Sequence, residues 1–307
     1  MEREPNTIYV ASISYGKDSL AMLEAIKRLG YPLDRIISVQ VWATDTIPAD
    51  LPEMYEWKEY ADKIIYERYG IKVERISAKK KRWGLTYADL FYHQLQKGKY
   101  VGAIKGFPQT LGSWCKKLKY EYINIQRFVL QQTQRVAKSG SKRQPLFKYA
   151  EKQPFSALPD CTTGNINIVQ YLGIASDEPE RIKKHQNKKN IVLPLVDIGW
   201  EEDYCGLWCQ YSNLLSPSYT SSARDGCWFC HNQGVEQLRY LRKKYPHLWE
   251  ILLKWDNDSP VSFKADGHTV HDYDKRFEME DKGLINIDEP FFWKYLNNPP
   301  PSQLKLF

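Results

Sequence analysis

The stretch Ile8-Tyr-Val-Ala-Ser-Ile-Ser-Tyr-Gly-Lys-Asp-Ser-Leu-Ala-Met-Leu23 decides the fold of this 307-residue chain. Residues 8–14 form a short apolar run rich in β-forming side chains, which is typical of a buried strand. Tyr15 and Gly16 break that run, and the residues that follow have helical spacing of leucine and isoleucine as far as Gly30. The stretch therefore predicts a strand, a tight turn and a helix in direct succession.

The same alternation continues along the next fifty residues. Residues 35–42 are again rich in β-formers, residues 51–69 have helical character up to Gly70, and residues 72–76 predict a third strand. A β-α-β-α-β order predicts an α/β fold with a doubly wound, mainly parallel sheet. Further elements are predicted as helices at 87–97, 117–136, 200–211 and 235–254, a strand at 166–173 and a short apolar run at 190–196, with an irregular stretch after them.

The domain organisation follows from where this alternation stops. We expect an α/β domain over residues 1–198, where the strands and helices alternate. A smaller, helical, cysteine-bearing part is expected over 199–297, followed by an extended tail over 298–307 that begins Asn298-Pro-Pro-Pro301.

The turn at residues 14–19, Ser-Tyr-Gly-Lys-Asp-Ser, has the composition of a phosphate-binding loop. A glycine lets the backbone bend sharply, so that successive N–H groups can face one anion. The following helix adds its positive end, Lys17 adds a full charge, and the hydroxyls of Ser14 and Ser19 can donate hydrogen bonds. The spacing differs from a Walker A loop. An ordinary β-α turn with a Ser or Asp cap is the alternative interpretation.

Composition excludes several classes of protein. Six cysteines are too few for a disulfide scaffold. No run approaches the roughly 18 apolar residues of a membrane span, and no apolar segment of a signal peptide follows the charged residues at the start of the sequence. We therefore expect a cytoplasmic protein with no membrane partner.

Four of the six cysteines fall in two close pairs, Cys205-x3-Cys209 and Cys227-x2-Cys230. Thiolates at such spacing can converge on one tetrahedral Zn²⁺ ion or hold a 4Fe-4S cluster. The alternative is that they are buried cysteines on apolar faces, particularly Cys205.

The net charge of +7 is concentrated in one segment, residues 116–152, which contains ten Lys or Arg and two Glu. Such a basic segment can bind phosphate-bearing ligands or nucleic acid. A solvated helix followed by a basic loop is an equally good interpretation.

The loop and an ordered series of later motifs together resemble a known superfamily. Ser14-x-Gly-Lys-Asp-Ser19 is similar to the pyrophosphate (PP) loop of the adenine-nucleotide α-hydrolases. The later motifs resemble the branch that contains phosphoadenosine-phosphosulfate (PAPS) reductases and DNA-phosphorothioation sulfur-transfer proteins. They are Thr44-Asp45-Thr46, Leu51-Pro-Glu-Met-Tyr55, Trp114-Cys115-Lys-Lys-Leu-Lys119, Gly173-Ile-Ala-Ser-Asp-Glu178 with Arg181, and Gly226-Cys-Trp-Phe-Cys230. The resemblance covers about residues 7 to 255.

This resemblance implies a role for individual residues. Its phosphate and cofactor contacts fall on Ser14, Tyr15, Gly16, Lys17, Asp18, Ser19 and Asp45. Catalytic roles fall on Lys17, Asp18, Lys119 and Arg181, the last two contacting phosphate or sulfate oxygens. Arg181 lies among lysines, so a solvated helix face is an equal alternative for it. Cys115 is an alternative metal ligand, because metal-bearing relatives have a cysteine in that segment.

Three functions remain open at this stage. The first is an ATP pyrophosphatase that uses Mg²⁺ and forms AMP and pyrophosphate to activate a substrate for sulfur or amine transfer, with a sulfur-donor protein as partner. The second is a reductase of PAPS or adenosine phosphosulfate (APS). Family reductases carry a nucleophilic cysteine near the C-terminus, whereas this sequence has none after Cys230. The third is a nucleic-acid-binding subunit that uses residues 116–152 and retains a nucleotide site.

Overall fold

The computed structural model describes residues 1–77, 85–98, 101–108, 114–118, 125, 129, 166–221 and 226–288. The chain forms two compact units, each assembled from two segments. The first unit comprises Met1–Leu85 and Lys116–Asp225, and the second comprises Thr86–Cys115 and Gly226–Phe307. This division concerns packing, and the domain boundary at residue 198 stays a prediction.

A five-stranded, all-parallel sheet forms the centre of the first unit. Its strands are β1 (Thr7–Ile13), β2 (Arg35–Gln40), β3 (Val73–Ser77), β4 (Asn167–Leu172) and β5 (Ile191–Val192). They lie in the order β3-β2-β1-β4-β5. In register, Ile8 is opposite Ile168 and Val10 is opposite Arg35. The predicted α/β class with a doubly wound, parallel sheet is therefore confirmed.

Helices follow the strands and make up the rest of the described regular structure. In chain order they are α1 (Lys17–Arg28), α2 (Pro52–Tyr69), α3 (Tyr87–Phe91), α4 (Pro179–Lys183), α5 (Pro194–Ile198), α6 (Glu202–Tyr211), α7 (Ser218–Ser221), α8 (Val235–Lys244), α9 (Pro246–Asp258) and α10 (Val270–Asp281), with a 3-10 turn at Trp114–Leu118. Helix α1 packs against α5 and α6 and buries Leu20, Leu23 and Ile26 in the core of the first unit.

Three sequence predictions of secondary structure are wrong. The helix predicted over 235–254 is two helices, because Pro246 has no N–H to continue the first and instead begins α9. The helix predicted over 87–97 ends at Phe91, after which Gln94 forms an antiparallel bridge with Ile104. The stretch predicted to be irregular contains α10, whose start is fixed by a capping box in which the Thr269 side chain accepts from the Asp272 N–H.

The chain leaves β1 toward β2 on one side, whereas β4 lies on the other side of β1. Ligands of open parallel sheets bind at such a switch point, beyond the carboxyl ends of the two strands. Gly173 follows β4 at this point, and a Cβ atom there would lie 2.8 Å from the Asp18 carbonyl oxygen and from the Ser19 Cα. Only glycine permits this approach, which brings the segment after β4 against the first turn of α1.

The second unit has its own core, formed mainly by aromatic side chains. Tyr87, Phe229 and Trp255 form its centre, with ring centroids 4.1–5.6 Å apart. Buried ion pairs join α8 to α10, since Glu280 accepts from both Arg239 and Arg276 at 2.6 Å. Within the described part of the chain, no helix combines the length and apolar character needed to cross a membrane.

We predict that Gly173→Ala lowers the free energy of unfolding by about 1–3 kcal/mol, because the new methyl group collides with main-chain atoms that cannot move aside. Urea unfolding measures this change. Gly226→Ala is the matched control, since a Cβ atom there meets nothing within 4 Å. Equal unfolding free energies for the two variants would contradict the close approach.

Candidate functional site

The bend between β1 and α1 leaves the start of α1 without a side-chain cap. Gly16 is the N-cap residue, in extended conformation, and it has no side chain to cap the helix. The Tyr219 hydroxyl accepts from the Lys17 N–H at 3.3 Å. The first intrahelical bond joins the Leu20 N–H to the Gly16 carbonyl, so the N–H groups of Lys17, Asp18 and Ser19 precede the helical ladder. These groups and the helix dipole form an anion-binding arrangement.

The Ser19 hydroxyl stabilises the bend through two hydrogen bonds to its main chain. It donates to the Gly16 carbonyl at 2.8 Å and accepts from the Ser14 N–H at 3.1 Å. Ser19 is buried, whereas Ser14 is exposed. Of the two predicted hydroxyl donors, Ser19 therefore holds the loop shape and Ser14 faces outward.

Tyr15 adopts the left-handed conformation, with φ of +64°. This conformation costs a residue other than glycine about 1–2 kcal/mol. Its side chain is fully buried, and its hydroxyl donates to Asp62 Oδ1 at 2.6 Å and accepts from Arg75 Nε at 3.1 Å. Burial, reinforced by the Asp62 charge, raises the pKa of Tyr15, so the phenol keeps its proton. The ring therefore anchors the bend to α2 and β3, and only the main chain of Tyr15 is left for a ligand.

Lys17 lies against α6. Its Nζ is 2.7 Å from Glu202 Oε1, donates to the Glu202 main-chain oxygen at 3.0 Å, and is 3.7 Å from Asp18 Oδ1. Burial lowers the pKa of Lys17, but the hydrogen bond to Glu202 and the charges of Asp18 and Glu202 outweigh it and raise the pKa. Lys17 is therefore a charged side chain in the first turn of α1, as the predicted role requires.

Asp18 is a partly buried carboxyl group. Burial raises its pKa to about 6, opposed by the charge of Lys17 and reinforced by those of Glu202 and Glu178. Its Oδ1 atom is buried and has no hydrogen-bond partner among the described residues. This oxygen accepts no described hydrogen bond, and its described ion-pair partner is Lys17 Nζ at 3.7 Å.

Arg181, a predicted phosphate or sulfate ligand, lies on α4. It is half exposed, and its Nη1 lies 2.5 and 2.7 Å from the two carboxylate oxygens of Glu178. Glu178 also accepts from the Ala175 N–H at 3.2 Å, which holds it beside the segment after β4. Since the charges of both Arg181 and Glu178 act on Asp18, the structure brings this pair to the neighbourhood of the bend.

Sequence reasoning missed two residues that contact Lys17. Glu202 is held in place because Asp177 Oδ1 accepts from its N–H at 3.1 Å, and the Tyr219 hydroxyl accepts from the Lys17 N–H at 3.3 Å. Both lie about 200 residues from the bend, and no motif at either position indicates this contact.

Two other predicted site residues have no described contact with this group. Asp45 is exposed in the turn after β2, where the Ala43 and Thr44 N–H groups bond to the Ile47 carbonyl. Lys119 lies outside the described residues, as do most of the basic residues between 116 and 152.

The predicted metal ligands divide between the two compact units. Cys205 and Cys209 lie on α6 in the first unit and are fully buried. Burial raises the pKa of both to about 12, and the Cys209 thiol donates to the Lys17 carbonyl at 3.3 Å. The thiol form is thus favoured, whereas a metal binds the thiolate.

Cys115, Cys227 and Cys230 lie in the second unit, around the buried phenol of Tyr87. Burial raises the pKa of Tyr87 well above its usual value, and the charges of these three cysteines add to the effect. The Tyr87 hydroxyl is buried without a hydrogen-bond partner among the described residues, and so is Nε1 of Trp114. The turn from Cys227 to Cys230 is closed by an N–H to carbonyl bond of 3.0 Å.

Within the described ranges, no three or more His, Cys, Asp or Glu side chains are grouped so that they hold a metal ion. The predicted metal site therefore stays a prediction. The second unit provides three thiols and two aromatic donors, Tyr87 and Trp114, that have no acceptor among the described residues.

No protein-family model matches the chain, and no curated protein matches it significantly. The resemblance described above therefore depends on the motifs alone.

We predict that Asp18→Asn stabilises the protein at neutral and alkaline pH. The folded-state pKa of about 6 exceeds the ordinary value of 3.8, so the folded protein binds a proton more tightly and loses stability as pH rises between these values. The variant should therefore be more stable than wild type at pH 8, by at most about 3 kcal/mol, and this advantage should vanish below pH 4.

Urea unfolding at several pH values measures this effect, with Asp203→Asn as the control for loss of an exposed carboxylate on α6. A difference between Asp18→Asn and wild type that does not change between pH 4 and pH 8 would contradict the raised pKa.

Proposed function

We propose that the bend at residues 14–19 binds the phosphates of an adenine nucleotide, and that the protein cleaves ATP to AMP and pyrophosphate to activate a substrate for sulfur or amine transfer. The observation that carries this proposal is the start of α1, which has no N-cap side chain, with the Lys17 ammonium beside it, at the switch point of a parallel sheet. Adenine as the base, and the acceptor chemistry, come from the resemblance of the motifs.

The electrostatics of the bend support phosphate binding. Helix α1 has twelve residues, and its first N–H groups carry the partial positive charge of the helix end. Cleavage between the α and β phosphates moves negative charge onto the departing pyrophosphate. Fixed N–H dipoles and Lys17 stabilise that charge without having to reorganise during the reaction. In this proposal Arg181 leaves Glu178 and binds the same anion through its planar guanidinium group.

Asp18 fits the Mg²⁺ ion that accompanies a nucleotide. Mg²⁺ prefers oxygen ligands and is usually bound through one or two carboxylates together with substrate phosphates, and Asp18 Oδ1 is a buried oxygen without a hydrogen-bond partner among the described residues. When bound, the Mg²⁺ ion would neutralise negative charge on the phosphate oxygens. Asp18 would hold it, while Lys17 and the main chain orient the phosphates.

Adenylylation is better supported than reduction of a sulfonucleotide. Reduction requires a cysteine thiolate that attacks sulfur. Burial favours the thiol form of Cys205 and Cys209, and the sequence has no cysteine after Cys230. A nucleic-acid-binding role depends on residues 116–152, most of which lie outside the described part of the chain.

We predict that Lys17→Ala weakens ATP binding at least tenfold, because the ammonium group that neutralises the phosphates is lost. Isothermal titration with Mg²⁺ and ATP measures the Kd, and product analysis shows whether AMP and pyrophosphate, rather than ADP, are formed. Lys27→Ala, an exposed lysine in the last turn of the same helix, is the matched control. Equal Kd values for both variants would refute the assignment of the loop.

A second observation favours a metal-binding role for the second unit. Cys115, Cys227 and Cys230 supply three sulfur ligands suited to Zn²⁺ or an iron–sulfur cluster. The unpartnered hydroxyl of Tyr87 and Nε1 of Trp114 are donors of the kind that stabilise metal-bound sulfur. The described structure does not group these three thiols as a preformed metal site. We propose that a metal ion gathers them when it binds, with a fourth ligand outside this group.

We predict that protein purified anaerobically contains iron or zinc, and that Cys227→Ser loses most of it because one sulfur ligand is removed. Elemental analysis measures both metals. Cys205→Ala should retain the metal if the second unit alone binds it, and should lose it if the four-cysteine set binds it instead. Wild-type protein with neither metal would reject the proposal.

A further inference from the structure

Several positions on one face of α6 lie against Lys17. Glu202, Gly206 and Cys209 lie at positions i, i+4 and i+7 of this helix, which place them on the same side. Glu202 holds Nζ, and the Cys209 thiol donates to the Lys17 carbonyl. A Cβ atom at residue 206 would lie 3.6 Å from Lys17 Cδ, an ordinary van der Waals distance, so the lysine stem passes close to the helix at this position.

The ion pair with Glu202 neutralises the Lys17 ammonium, the charge that a phosphate ligand would bind. The carboxylate of Glu202 is 2.7 Å from Lys17 Nζ, a distance at which the ion pair is fully formed. The Tyr219 hydroxyl accepts from the Lys17 N–H at the same end of α1. An incoming anion must therefore compete with groups of the chain itself for Lys17.

The two partners differ in how easily they move. The Glu202 side chain is 53% exposed, whereas that of Lys17 is 15% exposed. Glu202 can rotate into water and be solvated there, while the main chain of α6 stays fixed by the bond from the Glu202 N–H to Asp177. Movement of this one exposed side chain thus frees a place at Lys17 Nζ for an anion, while the bond from Nζ to the Glu202 main-chain oxygen can stay in place.

We propose that Glu202 is an internal competitor for the phosphate ligand: it holds Lys17 on α6 in the ligand-free protein and is displaced when a nucleotide polyphosphate binds. This inference depends on the proposed function of the bend. It assigns to Glu202 the control of ligand affinity, because each ligand that engages Lys17 must first break this ion pair. After cleavage and release of products, Glu202 recaptures Lys17.

The proposal predicts that a substitution beside the binding site strengthens ligand binding, whereas most such substitutions weaken it. Glu202→Gln should lower the Kd for Mg²⁺ and ATP about two- to fivefold, the range expected when a partly exposed ion pair no longer opposes binding. Asp203→Asn removes a charge from the neighbouring, exposed position and should leave the Kd within twofold of wild type. Isothermal titration measures all three proteins.

A second measurement needs no ligand. The rate at which acetic anhydride labels Lys17, followed by mass spectrometry with the exposed lysines of the chain as internal standards, should rise at least twofold in Glu202→Gln and stay unchanged in Asp203→Asn. A Kd that is unchanged or higher in Glu202→Gln overturns the competitor role, and an unchanged labelling rate overturns the holding role.

These outcomes separate the two proposals. If ATP binds and Lys17→Ala weakens it while Glu202→Gln does not strengthen it, the bend binds nucleotide and the competitor role is wrong. If no variant binds ATP, the proposed function and the competitor role both fail, and the labelling rate alone then decides whether Glu202 holds Lys17.

Discussion

The hydrogen bond from Tyr15 to Asp62 is the interaction on which the bend depends. A left-handed tyrosine is unfavourable by itself, and the buried contacts with Asp62 and Arg75 offset its cost. Because Asp62 and Arg75 belong to α2 and β3, the shape of residues 14–19 is determined by the sheet and its covering helix. The N–H groups at the start of α1 are thus oriented before any ligand arrives, which reduces the entropy that binding must cost.

The charges around the bend add a second constraint. Asp18, Glu178 and Glu202 surround Lys17 and Arg181, so each cation already has an anionic partner in the described structure. A bare anion would meet more negative than positive charge there. A polyphosphate that carries its own divalent cation avoids this repulsion, and this makes the carboxylates compatible with a phosphate site.

Local sequence was sufficient for the central part of the fold. The strand, bend and helix from Ile8 to Leu23 form as their apolar spacing and glycine predict, and the parallel sheet follows from the alternation of elements. Contacts between distant residues were not predictable, because Tyr15 meets a partner 47 positions away and Lys17 one 185 positions away. The break at Pro246 was visible in the sequence, but strong leucine periodicity on both sides concealed it.

The pairing of β4 with β1 has a consequence for how the protein is made. Tyr9 pairs with Val169, and the thirty residues of Thr86–Cys115 that pass into the second unit lie in the interval between them. A nascent chain therefore exposes one edge of β1 until β4 (Asn167–Leu172) has been synthesised. Non-local pairing of this kind folds slowly and leaves an unpaired strand open to association with other chains.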